Sequence, residues 1–352
     1  MSRILYYILF ACTLTGQSNF SVPIYSLINF DIYNDSDIYN FSESDKDRIS
    51  VADSLITYNE IESSIVIKPK IIFEYEPYIN GLPLEMKLGF AAKHPLSAPI
   101  KSTISFNSSA RYKIKSYTYL KVWHSYIPSI YIRNYRDRDD LIHQGSFLLM
   151  NDECRFGDEK IGLSYTKKIS SRSMISSRFQ YSSIIFDQPF NEYNLKIYEL
   201  GISLKYLENK RHTVNFDSRF IYADNFTRSL SNQPSVYNID RSYIEFYFVS
   251  SLENKRVFHK PNLRVGISLR FIVRQYISEY INDPIHYQRS QLDNLYTVWA
   301  KINTKHNYSF KPFISYRMKD VFSPYDWVVK LKGFNKYNFG LKLSKRLAFD
   351  IL

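Results

Sequence analysis

The 352-residue chain contains only 10 glycines and 2 cysteines, and each scarcity removes a class of function. So few glycines leave little material for a phosphate-cradling loop, and no such motif is present, so no nucleotide cofactor is expected. Cys12 and Cys154 cannot supply a cysteine-rich zinc or redox site. If Cys12 is lost with an N-terminal leader, Cys154 remains alone and no internal disulfide can form, even in an oxidising compartment. Past the N-terminus no apolar run reaches the ~18 to 20 residues of a spanning helix, and mean hydropathy is −0.31, so a helical membrane protein is excluded. His94, His124, His212, His259, His286 and His306 read as isolated, with no metal-ligand partner at helical or i, i+2 spacing, so no metal is expected. No repeat of fixed length occurs, which argues against propellers and solenoids.

Aromatic residues are abundant, with 31 Tyr and 25 Phe making up most of a 17% share. Amphipathic rings in this number suit the two interfacial girdles of a membrane barrel, although a bias in composition towards Ile, Tyr, Asn and Lys would also enrich them. The formal charge is +12. The basic residues are scattered with no dense run, so nucleic acid is not the expected partner, and a cationic lumen or loops facing lipopolysaccharide fit better. The opening MSRILYYILFACTLTGQSNF carries Arg3, an apolar stretch from Ile4 to Leu14, and then small polar residues. It reads as a secretory signal peptide over residues 1–18; LFAC, ending at Cys12, is the alternative reading as a lipoprotein cleavage box.

The dominant pattern is alternation. In LRVGISLRFIVRQY, residues 263–276, Leu263, Val265, Ile267, Leu269, Phe271 and Val273 fall on one face of an extended strand. Arg264, Gly266, Ser268, Arg270 and Arg274 fall on the other, and only Ile272 interrupts it. A soluble sandwich buries such an apolar face against a second sheet, whereas a membrane barrel turns it to lipid and the arginines to water. Similar segments recur at 22–33, 63–76, 83–93, 99–114, 117–133, 160–168, 174–187, 193–207, 212–225, 240–252, 292–304, 311–319 and 336–346. Their connections alternate between short (169–172, 208–211, 253–261, 305–309) and long (134–157, 226–239, 278–291, 320–335), the sorting by side that a barrel imposes and a sandwich does not. GSFLLMND at 145–152 is placed in a long connection, and the acidic, unpatterned residues 34–62 are an outer loop, a plug or a periplasmic arm. The expectation is an all-β, antiparallel up-and-down transmembrane barrel of about 14 strands (12 to 16) over residues 19–352.

On the polar faces, Asp217, Arg219, Glu245, Arg264, Arg270 and Arg274 are the candidates for lining the lumen, as mutually neutralising charges rather than a catalytic set. No catalytic residue is assigned. The nearest approach to a barrel-mounted lipid hydrolase is HQGSF, with His143 and Ser146, which lacks the expected Asn and Gly-Arg context.

In the last 65 residues, Arg289 and Asp293 precede a strand, Pro312 with Tyr316 and Arg317 opens the next, and Ser323 lies in the loop before a final alternating segment. This order weakly resembles the closing strands of surface lipoprotein assembly modifiers, outer-membrane barrels of Gram-negative bacteria that usually carry a helical repeat domain ahead of the barrel. The resemblance implies an outer-membrane location and a lipoprotein substrate. Together these readings give a porin-like transport or export barrel whose partners are outer-membrane lipid, lipopolysaccharide and the barrel-insertion machinery. An envelope-lipid hydrolase and a structural or adhesive surface protein are the alternatives.

Overall fold

A computed structural model describes residues 24–40, 63–136, 151–188, 190–208, 211–227, 240–255, 262–281, 283–304 and 306–349. The signal peptide at 1–18, most of the acidic segment 34–62, and both His143 and Ser146 lie outside the described residues.

Strands β1 (Ile24–Asp35), β2 (Ser64–Tyr75), β4 (Leu82–Pro95), β5 (Thr103–Lys115), β6 (Thr118–Arg136), β7 (Asn151–Lys168) and β8 (Ser173–Phe186) form one half of a single sheet. The other half comprises β9 (Leu195–Leu207), β10 (His212–Asp224), β11 (Tyr243–Asn254), β12 (Leu263–Tyr276), β13 (Ser290–Asn303), β14 (Tyr308–Phe322) and β15 (Phe334–Phe349). A two-residue β3 (Tyr78–Ile79) only folds back on the start of β4. Every neighbour pairs antiparallel, β15 returns to β1 from Ile24↔Phe349 to Asp35↔Asn338, and β2 pairs with β4, so the sheet closes into a 14-strand barrel. Closure satisfies the backbone of every strand without an exposed edge, the condition for a sheet in hydrocarbon. With strands ~4.8 Å apart and tilted ~40°, fourteen of them give a backbone diameter on the order of 28 Å.

Two faces follow from the alternation. Outside lie Ile28, Phe30 and Ile32 of β1, Leu200, Ile202 and Leu204 of β9, and Phe310 and Ile314 of β14, all left exposed. Inside, side chains of second-neighbour strands meet across the strand between them, as they do on a concave surface: Arg346 of β15 reaches Glu74 of β2 over β1 at 3.0 Å. The outer face is banded. On β9 the apolar run is bounded by Tyr198 and Tyr206, and on β14 the outward positions run from Tyr308 to Tyr316. Eight residues of tilted strand span about 21 Å, near the ~25 Å of a membrane barrel's apolar belt.

The connections 76–81, 116–117, 169–172, 208–211, 255–262 and 304–307 lie at one end, with the strand ends of β1 and β15. The opposite end carries the mostly longer loops 36–63, 96–102, 137–150, 187–194, 225–242, 277–289 and 323–333, the last containing the short helix α1 (Asp326–Lys332).

Two boundaries need correction. β7 begins at Asn151 rather than residue 160, so the long connection is 137–150 and residues 151–152 of GSFLLMND belong to a strand. Its first part, NDECRFGDEK, carries no apolar alternation because β6 and β7 continue past the apolar belt, where neither face meets hydrocarbon. The pairing there slips twice, between Ile127 and Ile130, where Pro128 cannot donate to the ladder, and again between Tyr131 and Arg133. Residues 99–101 form a 3-10 turn opened by Pro99, and β5 starts at Thr103.

Candidate lumen site

The charges inside the barrel are organised by strand register. On β10, Arg219 donates through Nε to Asp217 at 2.9 Å and lies 4.2 Å from the Tyr247 ring centre. Glu199 of β9, which is almost fully buried, pairs with Arg178 of β8 at 2.7 Å and faces Arg219 at 3.7 Å. Glu245 of β11 accepts from Arg274 of β12 at 2.7 Å, a pair set by direct cross-strand register. Asp293 of β13 is shared by Arg270 of β12 at 3.6 Å and Arg317 of β14, whose Nε donates at 3.0 Å. Arg264 pairs with Glu253 at 3.4 Å.

The six lumen candidates therefore fall into separate clusters rather than one ladder: Asp217 with Arg219, Glu245 with Arg274, Arg264 towards the short-turn end, and Arg270 beside Asp293. Their missing partners, Glu199, Asp293 and Glu253, stand on adjacent strands at matching parity. Alternation within 193–207 and 292–304 already turns Glu199 and Asp293 inward, whereas Glu253 falls in the connection expected at 253–261 and is gained because β11 runs on to Asn254.

Towards the short-turn end cations outnumber carboxylates. Lys342 is 3.5 Å from Asp31, and Lys68, Lys70, Lys301 and Lys311 lie within electrostatic range of that carboxylate, of Lys342 or of one another. Glu74 serves both Arg346 and Lys87, and Glu85 serves Lys87 and Arg111. The side chains of Lys342 and Arg346 remain 47% and 54% exposed although they point inward, so water reaches this part of the lumen.

At the opposite mouth the loop 277–289 is tied down. Asp283 accepts from the backbone N–H of Asp240 at 3.0 Å and from His286 Nδ1 at 2.8 Å, joining this loop to 225–242. The His286 ring packs 5.2 Å from that of Tyr276. Burial pushes the imidazole down to about 4, reinforced by Arg289 and Arg241 and opposed by its bond to Asp283, so the neutral ring donates from Nδ1. Arg289 lies 3.9 Å above the Tyr276 ring. This loop carries no periodic signal, because its order comes from hydrogen bonds of the Asp283 side chain rather than alternation.

No family model matches the chain, and no curated protein matches it. Among solved structures, it is similar to the outer-membrane channel DcaP of Acinetobacter baumannii, at 9% identity and a TM-score of 0.51, over 93% of this chain and 97% of that one. It also aligns with the CymD monoaromatic hydrocarbon channel, at 10% identity and a TM-score of 0.49, over 94% of this chain and 90% of that one. At such identity the DcaP match establishes shared architecture and carries no substrate with it: the chain has the fold of an outer-membrane channel.

Proposed function

We propose that this chain is a bacterial outer-membrane channel, exported by its N-terminal 18 residues, that passes small solutes carrying negative charge. The observation that carries the reading is the pairing of an apolar, tyrosine-bounded exterior with a charged interior in which inward cations exceed carboxylates and stay wet. Short turns would face the periplasm and long loops the cell exterior, in contact with lipopolysaccharide. A wall of fixed cations concentrates anions and excludes cations over about a Debye length, roughly 8 to 10 Å, comparable to the radius left inside fourteen strands.

Reconstitution in planar bilayers across a KCl gradient tests this. Discrete steps with a reversal potential displaced towards the chloride value are expected. Cation selectivity, or no steps from folded protein, would overturn it.

A second reading, passage or docking of a lipoprotein segment, is favoured by one observation. Arg289, Asp293 and Arg317, three of the six residues that carry the resemblance to surface lipoprotein assembly modifiers, lie towards the same mouth, with Asp293 bonded to Arg317. Loss of a surface lipoprotein on deletion of the gene, with solute uptake unchanged, would favour it over the channel.

A further inference from the structure

Along the lumen wall arginines are matched to carboxylates until the long-loop mouth, where the matching stops. Arg274 has Glu245, and Arg270 with Arg317 shares Asp293. Arg289 forms no salt bridge among the described residues, yet it is only 4% exposed, and its Nε and Nη1 have no acceptor. Lys319 of β14 likewise has no salt bridge among the described residues and lies within electrostatic range of Arg289, Arg274 and Tyr276. Arg274 and Arg289 both lie within electrostatic range of the Tyr276 side chain, and Arg241 adds positive charge from the neighbouring loop. The carboxylates within reach are occupied: Glu245 by Arg274, Asp293 by two arginines, and Asp283 by His286 and the Asp240 N–H.

A guanidinium removed from water with two donors unfilled is unfavourable unless an anion completes it. We propose that Arg289, Lys319 and the Tyr276 hydroxyl form a binding site for one small oxyanion, a carboxylate or a phosphate group. The assignment depends on the channel reading only for how the ligand arrives. Arg289 Nε and Nη1, which lie on different edges of the guanidinium, each leave a donor for one oxygen of either group, Lys319 supplies a compact second charge, and the Tyr276 ring lies against the guanidinium. The loop bearing Arg289 is already anchored through Asp283, so little ordering is left for binding to accomplish. An anion held here stands at one end of a lumen whose other end carries the wet lysines, and successive weak sites of this kind are what conduction requires.

The test is calorimetric titration of inorganic phosphate, and separately of succinate, into the full-length barrel refolded in detergent in chloride buffer. Wild type should bind at least one of them saturably at a single site; phosphate alone identifies a phosphate site, succinate alone a carboxylate site. Arg289→Gln should weaken binding at least tenfold and Lys319→Met at least threefold, with folding of each checked by heat-modifiable migration on gels. If Arg289→Gln fails to fold, Arg289→Lys, which keeps the charge and loses the Nε and Nη1 donors, takes its place. No saturable binding by folded wild type, or affinity unchanged in both an Arg289 variant and Lys319→Met, overturns the site. Chloride steps in bilayers without oxyanion binding would refute the site and leave the channel standing; binding without steps would do the reverse.

Discussion

Trp299 lies across Gly266, so that a Cβ added at the glycine would fall 2.3 Å from the indole Cζ2, and Trp123 covers Gly162 in the same way at 2.1 Å. Each glycine sits inward in a strand where the next strand's ring lies flat on its backbone, shielding hydrogen bonds that a bare glycine would expose. The glycine in the middle of the arginine face is thereby accounted for: it is a seat for a ring. Gly266→Ala should destabilise the barrel by about 1 to 3 kcal/mol through overpacking, read as a lower urea midpoint in detergent; an unchanged midpoint would mean the indole moves away freely. Removing the carboxylate in Glu245→Gln leaves Arg274 partly buried beside a neutral amide and should cost about 1 to 3 kcal/mol, whereas Arg270→Ser should cost little, because Asp293 keeps Arg317. His286 has a definite sign. Its folded value, near 4, lies below the ordinary imidazole value near 6.5. The stability it contributes is therefore complete above pH ~6.5 and is lost as pH falls from there towards 4. Across that window wild type should lose midpoint relative to His286→Gln; a constant difference would contradict the buried, neutral ring.

At the level of single strands, what the sequence makes legible is whatever period two can encode. Within the belt, LRVGISLRFIVRQY and KYNFGLKLSKR alternate because one side meets hydrocarbon and the other water, and the strands lie where the alternation lies. The start of β7 was invisible for the same reason: NDECRFGDEK rises past the belt, its faces are alike, and only pairing with β6 holds it extended. Alternation tells which residues face the lumen but not their pairing, because register, not periodicity, decides which carboxylate meets which arginine. Glu245 opposite Arg274 needs the β11–β12 alignment, and Asp283 bonding to the Asp240 N–H needs two loops brought together. Facing is testable strand by strand. Leu200, outward and 59% exposed near the middle of the β9 band, should cost about 2 to 4 kcal/mol of membrane stability when changed to Arg. Ser203→Arg on the opposite face should be tolerated; equal effects of the two changes would reverse the assignment.

For the whole molecule, everything depends on the barrel having hydrocarbon outside and water inside. The closed ring of fourteen strands, the tyrosines spaced to bound a belt, and the sorting of connections by end together match one environment around the wall and another within it. The inward cations of the short-turn half then act as a field in the lumen. The most direct measurement is a nitroxide scan of residues 198–206 of β9 in lipid vesicles, with Cys12 and Cys154 replaced and single cysteines introduced. Labels at 198, 200, 202, 204 and 206 should collide with oxygen dissolved in the bilayer, and labels at 203 and 205, where the inward face of the strand is open, with a water-soluble nickel complex. Accessibility to the nickel complex at every position, or to neither probe on the face bearing Leu200, would contradict the account.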